Sequence, residues 1–263
     1  MSTATLAPTG RVNVLTNTLT IARRNLLHIK ANPEQLVEMS IQPLMFLVLF
    51  VYVFGGAMEA SLGGDYLQFV LPGILVQGIA FTPFTTALGL NKDFNQGLVD
   101  RFRSLPIARS AVIGGRIAAD GVRIAWSVAI MVGFGVLLGF RFEGGALGAL
   151  GAVALVIAFG LTMCWPMAFI GITAKSPESV NTWGFMIILP LTFASSAFVD
   201  PATMPGWLEA FANVNPITSV IDATRGLMLG GPVAGPVITS LIWLAVISAV
   251  FATLAIARYR RRV

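Results

Sequence analysis

Cysteine and histidine are nearly absent from this chain of 263 residues, which has one of each, Cys164 and His28. A single copy therefore has neither a disulfide framework nor a clustered Cys/His metal site, and Cys164 reads as a helix-packing residue. Charge is also scarce: 11% of residues are charged against 56% hydrophobic, and the mean hydropathy is +0.82. A soluble protein of that composition would have an insoluble surface. No G-x-x-x-x-G-K-[ST] occurs, and none of Lys30, Lys92 or Lys175 follows a glycine, so no P-loop can hold ATP. The first 40 residues lack a continuous apolar stretch and do not read as a cleavable signal peptide. These absences argue against a metalloenzyme, a disulfide scaffold and an enzyme that works alone.

What the chain does contain is six long hydrophobic segments: Ile41 to Met58, Tyr66 to Leu90, Ile117 to Phe140, Leu147 to Thr173, Val180 to Val199 and Ala234 to Ala257. About 20 mainly apolar residues cover the hydrocarbon core of a bilayer, whereas buried strands of a soluble α/β protein run only about four to eight. The expectation is an all-α membrane protein with six transmembrane helices. Placing the N-terminus, the second and fourth hinges and the C-terminus on one face gathers most of the Lys and Arg there, leaving Arg141 and Arg225 on the other. Positively charged hinges stay in the cytoplasm, so both termini are expected to be cytoplasmic, in the cell membrane. The net charge of +5 follows this topology, and the run Arg258 to Arg262 directly after a span fits anionic lipid better than nucleic acid.

Two domains are expected: a tail with an amphipathic connecting helix over residues 1–35, and a six-helix body over 36–263. Between Val12 and Lys30, apolar residues recur at helical spacing with Arg23, Arg24, His28 and Lys30 on a polar side. That pattern fits a helix lying in the headgroup layer, and also a simple solvated helix. The hinge of residues 200–233 is apolar, with Pro205 and then Asn215-Pro216 as helix starts. It predicts two short helices carrying Trp207 and Phe211, then Asp222 and Arg225, ending near Gly230 and Gly231. They are too short to cross. They either re-enter the outer leaflet or cap the spans from outside. Asp222 and Arg225, three apart, can pair with each other or meet a substrate.

The hinge of residues 91–116 has charges of alternating sign around Phe94, Leu98, Val99, Phe102 and Leu105, which predicts an amphipathic helix broken at Pro106. Such a ridge suits docking of a soluble partner. Arg116, Asp120 and Arg123 follow on one helix face and predict an ion-pair ladder near the interface, since a lone charge at mid-span costs about 2.5 to 3.5 kcal/mol. Gln42, Gln77, Thr82, Thr85, Ser195 and Ser196 put mild polarity inside spans, serving either a substrate path or close helix packing. Pro43, Pro72, Pro83, Pro166 and Pro190 can bend helices where neighbours satisfy the freed carbonyls.

Taken in order, these residues resemble a family: the permease subunits of type 2 ATP-binding-cassette exporters, and among them the daunorubicin-resistance-like permeases of actinobacteria. The resemblance rests on the basic helix before the first span, on Leu71-Pro72-Gly73-Ile74, and on Gly97-x-x-Asp100-Arg101-Phe102-Arg103-Ser104-Leu105-Pro106-Ile107-x-Arg109. It continues through Gly115-Arg116 with Asp120, Met204-Pro205-Gly206-Trp207-Leu208 and Asn215-Pro216-Ile217. It implies an N-terminal connecting helix, a coupling helix in the first cytoplasmic hinge, and re-entrant helices before the last span. It further implies two separate ATPase subunits that bind ATP and Mg, and a second permease, identical or related. By analogy, Asn95, Gly97, Asp100, Arg101, Phe102, Arg103, Ser104, Leu105 and Pro106, with Arg23 and Arg24, would contact the ATPase. The cargo would be hydrophobic or amphipathic, a drug or a lipid. An ion-coupled carrier would need an intramembrane acid, for which Asp120 is the candidate but is bracketed by arginines. A non-transporting anchor subunit also fits the sequence.

Overall fold

A computed structural model describes residues 33–62, 64–96 and 109–262. The expected connecting helix with Arg23 and Arg24, and the expected coupling residues Gly97, Asp100, Arg101, Phe102, Arg103, Ser104, Leu105 and Pro106, lie outside them. Among the described residues the fold is entirely helical, with no strand, and five helices are long and apolar enough to cross a membrane.

The first of these is continuous from α1 (Pro33–Leu49) through a π-helical turn (Phe50–Phe54) into α2 (Gly55–Leu62). The wider π turn sets Phe50 in a stack on Phe198, 4.4 Å between ring centroids. The second crossing, Tyr66–Asn95, is the centre of the bundle: 78% of its apolar stretch is buried, against 17% for the first and last crossings. Asp65 starts α3 (Tyr66–Phe81) by accepting from the Leu67 N–H at 2.9 Å. At Thr82 the ladder stops, because Pro83 has no N–H to give. Hydroxyls take up the freed carbonyls there: Thr82 donates to Gly78 O (3.3 Å) and Thr85 to Thr82 O (3.1 Å). α4 (Phe84–Asn95) then resumes. The hinge expected from residue 91 therefore begins later, after a helix that reaches Asn95.

α5 (Arg109–Leu137) and α6 (Gly145–Thr173) form the third and fourth crossings, joined by a tight turn with Gly139 at φ 108. α6 packs against α4, α5, α9 and α10, so it is the second structural axis after α3. Glycines make this possible. A Cβ on Gly144 or Gly148 would sit 2.1 or 2.2 Å from the Leu227 carbonyl oxygen, and one on Gly171 would sit 2.4 Å from that of Ala87.

The fifth expected span, Val180 to Val199, is helical only as α7 (Pro177–Phe193), 17 residues long. It is capped early by a residue distant in sequence. The Asn215 side-chain amide donates to Leu191 O at 2.7 Å and Ala194 O at 2.8 Å, removing the drive for those carbonyls to extend the helix. The same side chain accepts from the Ile217 N–H at 2.9 Å and so starts α9 (Pro216–Leu229). Before it come a short 3-10 turn (Pro201–Thr203) and α8 (Gly206–Val214), both in the segment where two short helices were expected. α9 ends at left-handed Gly230 (φ 79), and α10 (Ala234–Arg262) completes the fold.

Candidate transport pathway

A cleft of about 370 Å³ opens between α1, α3, α4 and α7. It gathers four of the six polar residues expected on a substrate path: Gln42 from α1, Gln77 from α3, Thr82 at the break and Thr85 from α4. Phe46, Phe81, Phe185 and Phe193 line the rest with Pro43, Ile74 and Leu189. The aromatic side is ordered by stacking, with Phe81 and Phe185 centroids 6.0 Å apart and each beside Phe84. Phe84 is in turn held by Gly184, whose Cβ would lie 2.5 Å from the ring. Sequence reasoning missed these phenylalanines, because in an apolar run they carry no signal separating a lining residue from a core one.

Gln77 is the informative residue. Its side chain is 5% exposed and faces the cleft, yet among the described residues neither it nor Gln42 has a hydrogen-bond partner. Its amide atoms are open to the cleft rather than enclosed, so a hydroxyl or carbonyl entering that space can meet them. The hydroxyls of Thr82 and Thr85 are already donated to backbone.

Ser195 and Ser196 lie elsewhere. Ser195 donates to Thr192 O (2.5 Å) and accepts from Ala197 N (3.3 Å), finishing the end of α7. Ser196 donates to Asp222 at 2.6 Å and belongs to a knot around Arg225. There Arg225 meets Asp222 at 3.1 Å, and donates to the Phe69 carbonyl at 3.2 Å and the Ser196 carbonyl at 2.7 Å. Its guanidinium also lies 4.0 Å from the Phe69 ring centroid. The pairing expected from the three-residue spacing forms, and the guanidinium additionally ties α3, the end of α7 and α9 together. Of the two short helices, α8 turns Trp207 outward at 76% exposure together with Phe211, whereas α9 is buried through Ile217, Val220 and Ile221.

In the middle of the α4–α5 contact, Asp120 is 1% exposed and pairs with Arg123 at 2.6 Å. Its other carboxylate oxygen accepts from the Thr86 hydroxyl on α4. Of the expected ladder, Asp120 and Arg123 come together on α5, while Arg116 is on the same helix but its side chain lies outside those described. At the far end of α4, Asn95 donates to Asn91 Oδ1 (3.0 Å) and Lys175 O (3.5 Å), and Phe94 meets Tyr259 of α10 edge to face at 5.4 Å.

Apolar helices of membrane-crossing length, packed around a cleft, define a polytopic helical membrane protein. The model of the ABC-2 type transporter family matches residues 16–229, which include the cleft, α4 and α9. The chain belongs to that family of membrane permeases, as the resemblance in its sequence implied. It is 39% identical over 253 residues to the daunorubicin resistance ABC transporter permease protein DrrB1 of Streptomyces coeruleorubidus, covering 96% of this chain and 89% of that one. It is 25% identical over 232 residues to the doxorubicin resistance ABC transporter permease protein DrrB of Mycobacterium tuberculosis, covering 82% and 80%.

Proposed function

We propose that this chain is the transmembrane permease subunit of an ATP-driven exporter, and that it moves an amphipathic aromatic compound of the anthracycline kind through the cleft between α1, α3, α4 and α7. The observation that carries this reading is the Gln77 amide, which opens onto the cleft with no hydrogen-bond partner among the described residues and is set in a wall of phenylalanines. Rings stack a planar apolar body, and an amide holds a hydroxyl or carbonyl on it. The names of the drug-resistance relatives support the same cargo.

ATP and Mg belong to a separate ATPase in this reading, two copies of which serve two permeases. Residues 95–107, with Arg23 and Arg24, form the contact that receives its motion. α7 together with residues 194–199 completes a sixth crossing, α8 and α9 fold back at the outer face, and both termini are cytoplasmic. The exposed apolar faces of α1 (Met45, Val48) and of α7 (Trp183, Met186), which flank the cleft, are where a second permease would close it.

The test replaces Gln77 with Leu, which keeps the volume and removes the amide. In proteoliposomes containing permease and ATPase, daunorubicin transport should show a KM raised about 3- to 10-fold, the worth of one neutral hydrogen bond. An unchanged KM for Gln77→Leu would remove the cleft from the pathway. Charge reversal at Arg101 and Arg103 should abolish co-purification of the ATPase. Intact association would remove the coupling hinge from the account.

A further inference from the structure

We propose that Asn91 is a positioning residue for transport: it locks α4 to the end of α6, so that α4 and the α6–α7 turn move as one body when the ATPase drives the hinge after Asn95. The inference rests on the coupling role proposed for that hinge.

Asn91 is fully buried, and every hydrogen-bonding group of its side chain is used. Its amide donates to Gly171 O at 3.1 Å and Ala174 O at 2.8 Å, and its oxygen accepts from Asn95 at 3.0 Å. The Gly171 carbonyl belongs to the last turn of α6, where intrahelical donors run out, so a side chain of α4 caps a neighbouring helix. Nothing about the stability of α4 itself requires this. What the amide does is join two cytoplasm-directed hinges 80 residues apart, since Asn95 reaches on to Lys175 O in the middle of the α6–α7 turn.

The geometry of α4 gives the lock a purpose. The helix is 12 residues long, about 18 Å, and is bounded by the Thr82–Pro83 break at the cleft and by the proposed coupling hinge at the other end. Along its length it is held to α6 by the Ala87–Gly171 backbone approach, to α5 by Thr86 on Asp120, and to α7 by Phe84 on Gly184. A short rod, clamped to its neighbours and freed from α3 by a proline, transmits a push at Asn95 to Thr82 and Thr85, which line the cleft. Without the Asn91 clamp, motion of the hinge would be absorbed at the end of α4 instead.

Asn91→Ala is made in the assembled permease–ATPase complex in proteoliposomes, with daunorubicin as probe. Assembly and basal ATP hydrolysis should match the parent, while probe moved per ATP hydrolysed falls about 10-fold. A transport-to-hydrolysis ratio within twofold of the parent would overturn the proposal. If Asn91→Ala fails to accumulate, Asn95→Cys with Lys175→Cys in a Cys164→Ala background tests it with both Asn91 donors in place, each measurement being referred to the same double variant with its thiols reduced, so that loss of the Asn95 side chain is common to both. The disulfide should form equally with and without ATP plus vanadate, and the cross-linked complex should still transport. A yield that changes several-fold between the two states, or a cross-link that stops transport, shows the hinges moving apart and overturns it. The two readings fail separately. ATPase association that survives Arg101→Glu with Arg103→Glu sinks the coupling role, whereas lost association there with a normal ratio in Asn91→Ala sinks only the lock.

Discussion

Gly73→Ala should be among the most damaging single methyl additions in the molecule, and its cost follows from one distance. A Cβ on Gly73 of α3 would stand 2.2 Å from the Ala197 carbonyl oxygen and 2.7 Å from its Cα, both backbone atoms that cannot rotate away. Ordinary contact starts near 3.4 Å, so α3 and the segment after α7 must separate by about 1 Å. Forced overpacking of this kind costs about 1 to 3 kcal/mol. The separation also falls across the Arg225 knot, whose guanidinium holds Phe69 O on one side at 3.2 Å and Ser196 O on the other at 2.7 Å. Moving those carbonyls apart breaks one charge-assisted bond, worth about 1.5 to 3 kcal/mol. The expected total is about 3 to 5 kcal/mol. Gly133→Ala supplies the internal control: it lies in α5 with nothing within 4 Å of the added methyl, and should gain roughly 0.5 to 1 kcal/mol of helix propensity. Thermal unfolding of both variants in the same detergent, followed by tryptophan fluorescence or size-exclusion loss, makes the comparison. Equal stability of the two would refute the claim that the α3 contact with residues 194–199 is rigid.

Three further outcomes follow from the polar contacts. Asp120→Asn should destabilise by about 1.5 to 3 kcal/mol, because it removes the charge from a hydrogen-bonded pair whose acid is 1% exposed, and Asp120→Leu with Arg123→Met should recover most of the loss when folded yield is measured. Asn215→Ala should cost about 2 to 3 kcal/mol by uncapping α7 and α9 together, and Asn215→Asp, which keeps the α9 cap but sets an acceptor oxygen against Leu191 O and Ala194 O in a buried site, should cost at least as much in the same unfolding assay. Arg225→Lys should be nearly as harmful as Arg225→Met in thermal stability, since a single ammonium cannot span Phe69 O, Ser196 O and Asp222 at once.

The parts of this fold legible in the sequence are those set by apolar length and by short local signals. The runs beginning at Ile41, Tyr66, Ile117, Leu147 and Ala234 are long enough that only helices can satisfy their backbone in lipid. Asn215-Pro216 announces α9, and Gly230 ends it, because both act within a residue or two of where they stand. The length of α7 was hidden, because what caps it is an amide 21 to 24 residues further on, and carbonyl acceptors leave no trace in sequence. The same reason hid most of what Arg225 does: its acidic partner is three residues away and visible, while Phe69 O lies 156 residues away.

Residue type alone does not separate the polar residues that line the cleft from those that do not. Gln42 and Gln77 stand out because an amide in an apolar span has no local partner, and both line the cleft. Ser195 and Ser196 look equally polar on paper, but a serine hydroxyl reaches backbone within three residues or a nearby carboxylate, and here both do. Asn91 was overlooked for the opposite reason. In the polar run Asn91-Lys92-Asp93 it resembles the start of a solvated hinge, and only the packing of α6 onto α4 shows it to be interior.

The central claim is that a membrane body takes its driving force from a separate ATPase and passes an amphipathic compound through the α1–α3–α4–α7 cleft. Reconstituting the permease with and without the ATPase, in vesicles loaded with ATP or carrying only a proton gradient, measures it directly through daunorubicin accumulation. The account predicts transport only with both subunits and ATP, abolished by vanadate. Gradient-driven transport by the permease alone would contradict it.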